Sequence, residues 1–182
     1  NNAMELINNT SKTLKDDLSV EIKKGSKLSI AAACFSIYAF QELKKQLTSI
    51  EELRFIFTSP TFVAEKTKKE KREFYIPRLN RERSLYGTEF EIKLRNEMTQ
   101  KAIAKECADW IKEKVTFKSN ISDKTIQGQL VVDDTGYTPI NNFTTVELGC
   151  EKGNVISTTI VKDQSLAQTL IRDFNEIWND KK

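Results

Sequence analysis

Histidine is absent from this 182-residue chain. That excludes Ser/His/Asp and Cys/His nucleophilic catalysis, which need an imidazole to take the nucleophile's proton. Cysteine is scarce: Cys34, Cys107 and Cys150 are odd in number, far apart, and form no C-x-x-C pair. Without histidine, a zinc site would need carboxylates or a second chain, so no structural metal is expected, and the cysteines read as reduced, small core residues. Glycine and proline are few, at six and three. There is no Gly-rich phosphate loop, no G-x-S-x-G elbow and no G-K-[ST] pair. Long hydrophobic runs are missing too. None approaches the roughly 20 apolar residues that span a bilayer, and the N-terminus lacks a basic-then-apolar secretion signal. A soluble, cytoplasmic protein with no membrane partner is expected.

What is present is an ordinary globular balance, 38% apolar and 30% charged. A chain of this size buries roughly 70% of its unfolded surface, enough for a core without staples. Asn1–Ala3 ahead of Met4 read as a cloning remnant, which leaves residues 4–182 as one domain. The net charge of +3 decides little, but its distribution is uneven. Lys66, Lys68, Lys69, Lys71, Arg72, Arg78, Arg81 and Arg83 stand against Glu70, Glu73 and Glu82, a local net of +5. Charge runs are commonly solvated faces. Here, however, Arg78, Arg81 and Arg83 alternate with Tyr75, Leu79 and Tyr86, a composition suited to phosphate contacts. Lys68, Lys69, Arg72, Arg78, Arg81 and Arg83 are the candidate nucleic-acid contacts.

Leu14, Leu18 and Ile22 recur at helical spacing, with Gly25 just beyond as a cap. Leu28–Phe35 is a nearly continuous apolar run that suits a buried strand. Ser36 can cap a following helix with Phe40, Leu43 and Leu47 inward, and Leu53–Thr58 is a second strand. Strand, helix, strand at this spacing is a βαβ unit with parallel strands. Residues 60–87 break the pattern and read as a basic excursion. Phe90, Leu94 and Met98 start a helix; Ile103, Cys107, Trp110 and Ile111 continue or restart one after Thr99. Strands are expected at Val115–Ser119, Thr125–Asp133, Thr144–Leu148 and Val155–Val161, with Asp134, Gly136 and Pro139 supplying a turn. A last helix from about Gln164 turns Leu166, Leu170, Phe174, Ile177 and Trp178 inward. Trp110 and Trp178 read as core anchors. The fold class is α/β: a mixed central β-sheet flanked by helices on both faces.

Asp16–Asp17 and Asp133–Asp134 are adjacent carboxylates of the kind usually solvated. The most informative stretch is Gln127-Gly128-Gln129-Leu130-Val131-Val132-Asp133-Asp134, followed by Pro139-Ile140-Asn141-Asn142-Phe143-Thr144. This order resembles the phospholipase D-like nucleases, which carry His-x-Lys-x-x-x-x-Asp and then Gly-Ser-x-Asn, often continued as Phe-Thr. On that pattern Gln127 replaces the nucleophilic His and Gln129 the Lys, while Asp134 matches the Asp. Pro139 and Ile140 replace Gly and Ser; Asn142, Phe143 and Thr144 match. Glu147 or Glu151, Asp163 and the ending Phe174-Asn175-Glu176-Ile177-Trp178 extend the similarity. From Met4 onward the chain is similar to the N-terminal phospholipase D-like domain of bacterial Swi/Snf-type helicases.

The resemblance implies a domain placed ahead of an ATP-driven DNA translocase. The ATP and magnesium would belong to helicase domains elsewhere in the same protein, and this domain itself would need no cofactor. In the family a His forms a covalent intermediate and the Lys stabilises phosphoryl charge. Glutamine is a poor nucleophile and carries no charge, so no catalytic residue is expected at Gln127, Gln129, Asp134 or Asn142. Asp134 also reads simply as a turn residue bonding nearby amides, and Asn142–Thr144 as a strand start with a buried Phe. Single-set members of the family pair, so a homodimer is compatible with the resemblance, although no residue demands it. The expectation is a non-catalytic domain that binds or positions DNA weakly. Two alternatives stand beside it: a divergent nuclease using Asp134, Glu147 and magnesium or manganese, and a pure protein-interaction module.

Overall fold

A computed structural model describes residues 4–58, 102–120, 122–150 and 159–180. In chain order these form β1 (Glu5–Ile7), α1 (Leu14–Glu21), β2 (Lys27–Ala32), α2 (Ile37–Glu42), α3 (Lys44–Leu47), β3 (Glu52–Phe57), α4 (Ala102–Lys114), β4 (Val115–Ser119), β5 (Gln129–Val132), β6 (Thr135–Thr138), β7 (Ile160–Asp163) and α5 (Ala167–Trp178). The fold is α/β around one mixed sheet of order β1-β7-β6-β5-β2-β3-β4. The expected βαβ unit is present: β2 and β3 run parallel, with Ile30 opposite Phe55. β4 continues the parallel half beside β3. β5, β6, β7 and β1 are antiparallel additions on the other side of β2.

Alternation along the strands sorts the apolar residues into two groups. Ile30 and Ala32, Phe55 and Phe57, Phe117, Leu130 and Val132 join the larger core, with Leu14 and Leu18 of α1, Phe40 of α2 and Cys107, Trp110 and Ile111 of α4. Ring contacts knit that core: Phe35 lies against Phe55, Phe117, Phe143 and Trp110 at centroid distances of 5.4–6.4 Å. The intervening residues Ala31 and Ile56 meet Phe174 and Ile177 of α5 in a separate, smaller cluster.

Several expectations change. Thr144–Leu148 is a helical turn, not a strand: the Thr144 hydroxyl accepts the Glu147 amide, and the Leu148 amide returns to the Thr144 carbonyl. Local side-chain capping of this kind overrides the β-branched composition of the segment. Gly136 is not in a turn but inside β6, opposite Val131. A Cβ there would come within 2.9 Å of Leu170 and 3.1 Å of Leu166, so the missing side chain lets the start of α5 approach the sheet. The turn before β6 is the pair Asp133–Asp134, with Asp133 at φ 51, a conformation Asp tolerates better than most residues. Gly25 does not cap α1, which ends at Ile22; it forms a separate turn at φ 80, its amide bonded to the Ser49 carbonyl. The helix after Ser36 is broken into α2 and α3 at Leu43. β5 is shorter than the expected Thr125–Asp133. The excursion at 60–87, the helix start at Phe90–Met98 and Thr99 lie outside the described residues, as does most of Val155–Val161 apart from the start of β7.

A polar network fastens α1 to the antiparallel half. The buried Tyr137 hydroxyl donates to Asp17 Oδ2 at 2.6 Å. Lys162 on β7 pairs with Asp17 at 3.1 Å and Glu21 at 3.1 Å, and Lys12 pairs with Glu5. Burial alone would lower the Lys162 pKa, but its bonds to Glu21 and Asp17 overcome that and hold it above its ordinary value.

Candidate functional site

The motif positions divide between two ends of the β5–β6 hairpin. Gln127 and Gln129 lie at the start of β5, where it runs antiparallel to the end of β2, with Gln129 opposite Ala31. Gly128 between them is required by backbone crowding: a Cβ would fall 1.5 Å from the Ile140 carbonyl oxygen. That contact belongs to a tight crossing in which the Ile140 amide donates to the Gly128 carbonyl at 3.0 Å. Asn142 is at the same end. Its neighbours clamp onto the chain after β2, with Ala33 donating to the Asn141 carbonyl and Phe143 donating to the Cys34 carbonyl, both at 2.9 Å.

Gln127 and Gln129 line a cleft of about 180 Å³ beside α5, together with Lys124, Leu170, Asp173 and Glu176. The two glutamines differ. Gln127 is exposed, whereas Gln129 is buried and donates its side-chain amide to the Leu170 carbonyl of α5 at 2.9 Å. Gln129 thus ties the sheet to the helix and is not free to meet a ligand. The cleft also has no excess of positive charge to draw a phosphodiester, and Asp173 is itself paired with Arg172 at 3.6 Å. Asp173 and Glu176 stand on its wall, and its lysine, Lys124, is paired with Glu176 at 2.8 Å. That pairing holds Glu176 below its ordinary pKa.

Asp134 is at the far end of the hairpin, exposed, beside a wider hollow of about 730 Å³ along α5. The bond to nearby backbone expected of Asp134 is made by its neighbour instead. Asp133 accepts from the Lys27 amide at 2.9 Å and from the Ser26 hydroxyl at 2.7 Å, closing the hairpin onto the start of β2.

Glu147 is at the opposite end from Asp134. Its buried carboxylate accepts the Asn141 amide at 3.2 Å and also the Asn142 amide. Burial raises its pKa, partly offset by those two amides. The length of β6 separates Asp134 from Glu147, so these two carboxylates cannot share one divalent ion. Among the described residues no group of three or more His, Cys, Asp or Glu side chains is arranged to hold a metal, and no helix is long and apolar enough to cross a membrane. Cys34 and Cys107 are buried, Cys150 partly so; burial raises the Cys107 thiol pKa, which disfavours a thiolate nucleophile.

Trp110 is the core anchor expected, its indole N–H donating to the Leu47 carbonyl at 2.7 Å. Trp178 departs from expectation in being only partly buried. It stacks on Phe174 at 5.5 Å, and both Arg54 and Lys118 lie over its ring. Neither cation was singled out by the sequence. Each sits at an alternate position of a strand, a signal that points to a face but not to what the face meets. Lys68, Lys69, Arg72, Arg78, Arg81 and Arg83 lie outside the described residues.

No protein-family model matches the chain, and no curated protein is significantly similar to it.

Proposed function

We propose that this chain is a catalytically silent phospholipase D-like domain that supplies a Swi/Snf-type DNA translocase with a phosphate-contacting surface. The observation that carries the silent half of this reading is the Gln129–Leu170 bond. Where the family places its phosphoryl-stabilising lysine, this chain has a neutral side chain committed to holding a helix. Asp173 and Glu176 in the same cleft, paired with Arg172 and Lys124, leave no excess positive charge there to attract a phosphodiester. Gln127 cannot replace a nucleophilic imidazole.

The fold supports the family half. The two apolar clusters, one with α1, α2 and α4 and the other with α5, are what a phospholipase D-like sheet covered on both faces requires. Gly128, the clamp of Asn141 and Phe143 on the chain after β2 and the Phe174–Trp178 helix ending all fall on stretches that carry the resemblance. The DNA-contacting half rests on the local net of +5 between Lys66 and Arg83. Helicase domains in the same protein, and a second copy of this chain, are the partners this reading admits.

The test is incubation with single- and double-stranded DNA and a generic phosphodiester, with and without magnesium or manganese. No turnover is expected. Turnover that persists in Gln127→Ala and Gln129→Ala would contradict a silent domain, and turnover lost only in Asp134→Ala would favour a metal-dependent nuclease.

A further inference from the structure

The α5 side of the sheet carries two cations that form no ion pair among the described residues. Arg54 pairs across to Thr116, two residues before Lys118, so Arg54 and Lys118 share a face on adjacent strands. The Arg54 guanidinium donates to Asn175 Oδ1 at 3.0 Å and to the Ser29 hydroxyl at 3.2 Å. It lies 4.9 Å from the Phe174 ring centroid and 5.4 Å from that of Trp178. Lys118 Nζ lies 4.4 Å from the Trp178 centroid and donates to the Trp178 carbonyl at 3.1 Å. Every one of these partners is neutral.

Lys162 shows the contrast. It is comparably buried, and it pairs with Asp17 and Glu21. Among the described residues no carboxylate forms an ion pair with Arg54 or Lys118; Glu52 acts on Arg54 only through its field. Burial lowers the Lys118 pKa, and the charge of Arg54 lowers it further. One cation would suffice to hold Trp178 in a cation–π contact. A second, half-buried and repelled by the first, adds cost that an anion placed between them would offset.

We propose that Arg54 and Lys118 form a phosphate contact for a nucleic-acid backbone, with Trp178 as the platform that fixes both cations. The proposal rests on the DNA-contacting reading and locates a second contact apart from residues 66–83. In the sequence, the basic segment falls between β3, which carries Arg54, and β4, which carries Lys118.

The experiment is a salt titration of duplex DNA binding by anisotropy, comparing the parent chain with Lys118→Gln, Lys118→Arg and Arg54→Gln. Intrinsic fluorescence is followed in parallel, with Trp178→Phe as the control that identifies the reporter. Loss of one phosphate contact should reduce the log–log salt slope by about 0.9. Lys118→Gln and Arg54→Gln are expected to show that reduction, and Lys118→Arg to keep the parent slope. DNA should perturb emission in the parent but much less in Trp178→Phe. A parent slope retained in both glutamine variants would overturn this contact while leaving the DNA-binding reading intact. No binding by the parent at low salt would overturn both. Inorganic phosphate that perturbs Trp178 where DNA does not would mark a free-anion site and overturn the nucleic-acid assignment. Circular dichroism of each variant separates a lost contact from a lost fold.

Discussion

The side-chain amide of Gln129 donates to the main-chain carbonyl of Leu170 at 2.9 Å, joining β5 to α5 at the wall of the cleft that Gln127 and Gln129 line. Gln129→Lys would bring back the residue type the resemblance expects, place an ammonium at a buried position and lose the bond to the Leu170 carbonyl. The cost should be at least that of an unpaired buried polar group, about 1–3 kcal/mol. Urea denaturation of Gln129→Lys and Gln129→Ala checks it, with the larger loss expected for lysine. Equal stability of Gln129→Lys and the parent would mean that the position tolerates charge and that the cleft is open to it.

Gly128 and Gly25 make a matched pair for backbone effects. Gly128→Ala drives a Cβ to within 1.5 Å of a backbone oxygen, so main chain must move. A loss above about 4 kcal/mol, at the exceptional end for single substitutions, is expected. Gly25→Ala meets nothing within 4 Å and bears only the cost of its φ of 80, about 1–2 kcal/mol. Thermal unfolding of both variants should rank them in that order.

Tyr137→Phe removes a buried hydroxyl and leaves Asp17 with Lys162 and Lys12 as partners. A loss of about 1–3 kcal/mol is expected, since the bond is to a charged acceptor. Because the Lys162 pKa is raised on folding, its contribution is fully present below the unfolded lysine pKa of about 10.4 and is lost as pH climbs through the folded value. Lys162→Met should therefore differ most from the parent near neutrality and converge with it in strong alkali, as read by denaturation at a series of pH values.

Glu147 gives the opposite practical sign at ordinary pH. Its folded pKa lies above the usual 4.5, because burial disfavours the carboxylate more than the two amides restore it. Stability tied to its protonated form is present below 4.5 and lost as pH rises through the folded value. Glu147→Gln removes that dependence, so its stability relative to the parent should increase with pH from about 4.5 upward. A difference that stays flat with pH would mean that the two amides cancel the effect of burial, and one that falls with pH would mean that they outweigh it.

Phe174→Ala should cost about 3–5 kcal/mol, the range for a fully buried aromatic. Trp178→Ala should cost less, because its ring is only partly buried at the edge of the smaller apolar cluster, against Phe174, with Arg54 and Lys118 over it. Thermal unfolding midpoints give the comparison. The reverse ranking would place Trp178 as the main anchor of α5.

The parallel half of the fold was legible because its signals are redundant. In β2 and β3 long apolar runs are bounded by Lys27, Ser36 and Glu52, and the intervening residues have helical spacing. Ile103, Cys107, Trp110 and Ile111 were likewise read to one buried face of α4. The antiparallel half was harder because its cues are tertiary. Gly136 reads as a turn until Leu166 and Leu170 are seen above it. Thr144–Leu148 reads as a strand until the Thr144 hydroxyl is seen capping Glu147. β1 is three residues long and gains its place only by pairing with β7. At the motif, the chemistry of Gln127 and Gln129 was readable as a loss of nucleophile and cation. The bond that gives Gln129 a different task was not, because Leu170 is forty-one positions away. Asp133, not Asp134, takes the backbone-bonding role, a one-residue distinction that depends on turn geometry.

The central claim is an inert domain that contacts nucleic-acid phosphates, and the most direct measurement is the salt dependence of DNA binding by the parent and by Arg78→Ala/Arg81→Ala/Arg83→Ala. With three to five engaged side chains the parent should bind duplex DNA without sequence preference, at about 10⁻⁴ to 10⁻⁶ M near physiological salt and with a log–log slope of about −3 to −4.5. The triple variant should bind more weakly and with a shallower slope. Identical slopes for the two proteins would remove residues 78–83 from the contact, and no binding by the parent at low salt would contradict the account and leave a protein-interaction module in its place.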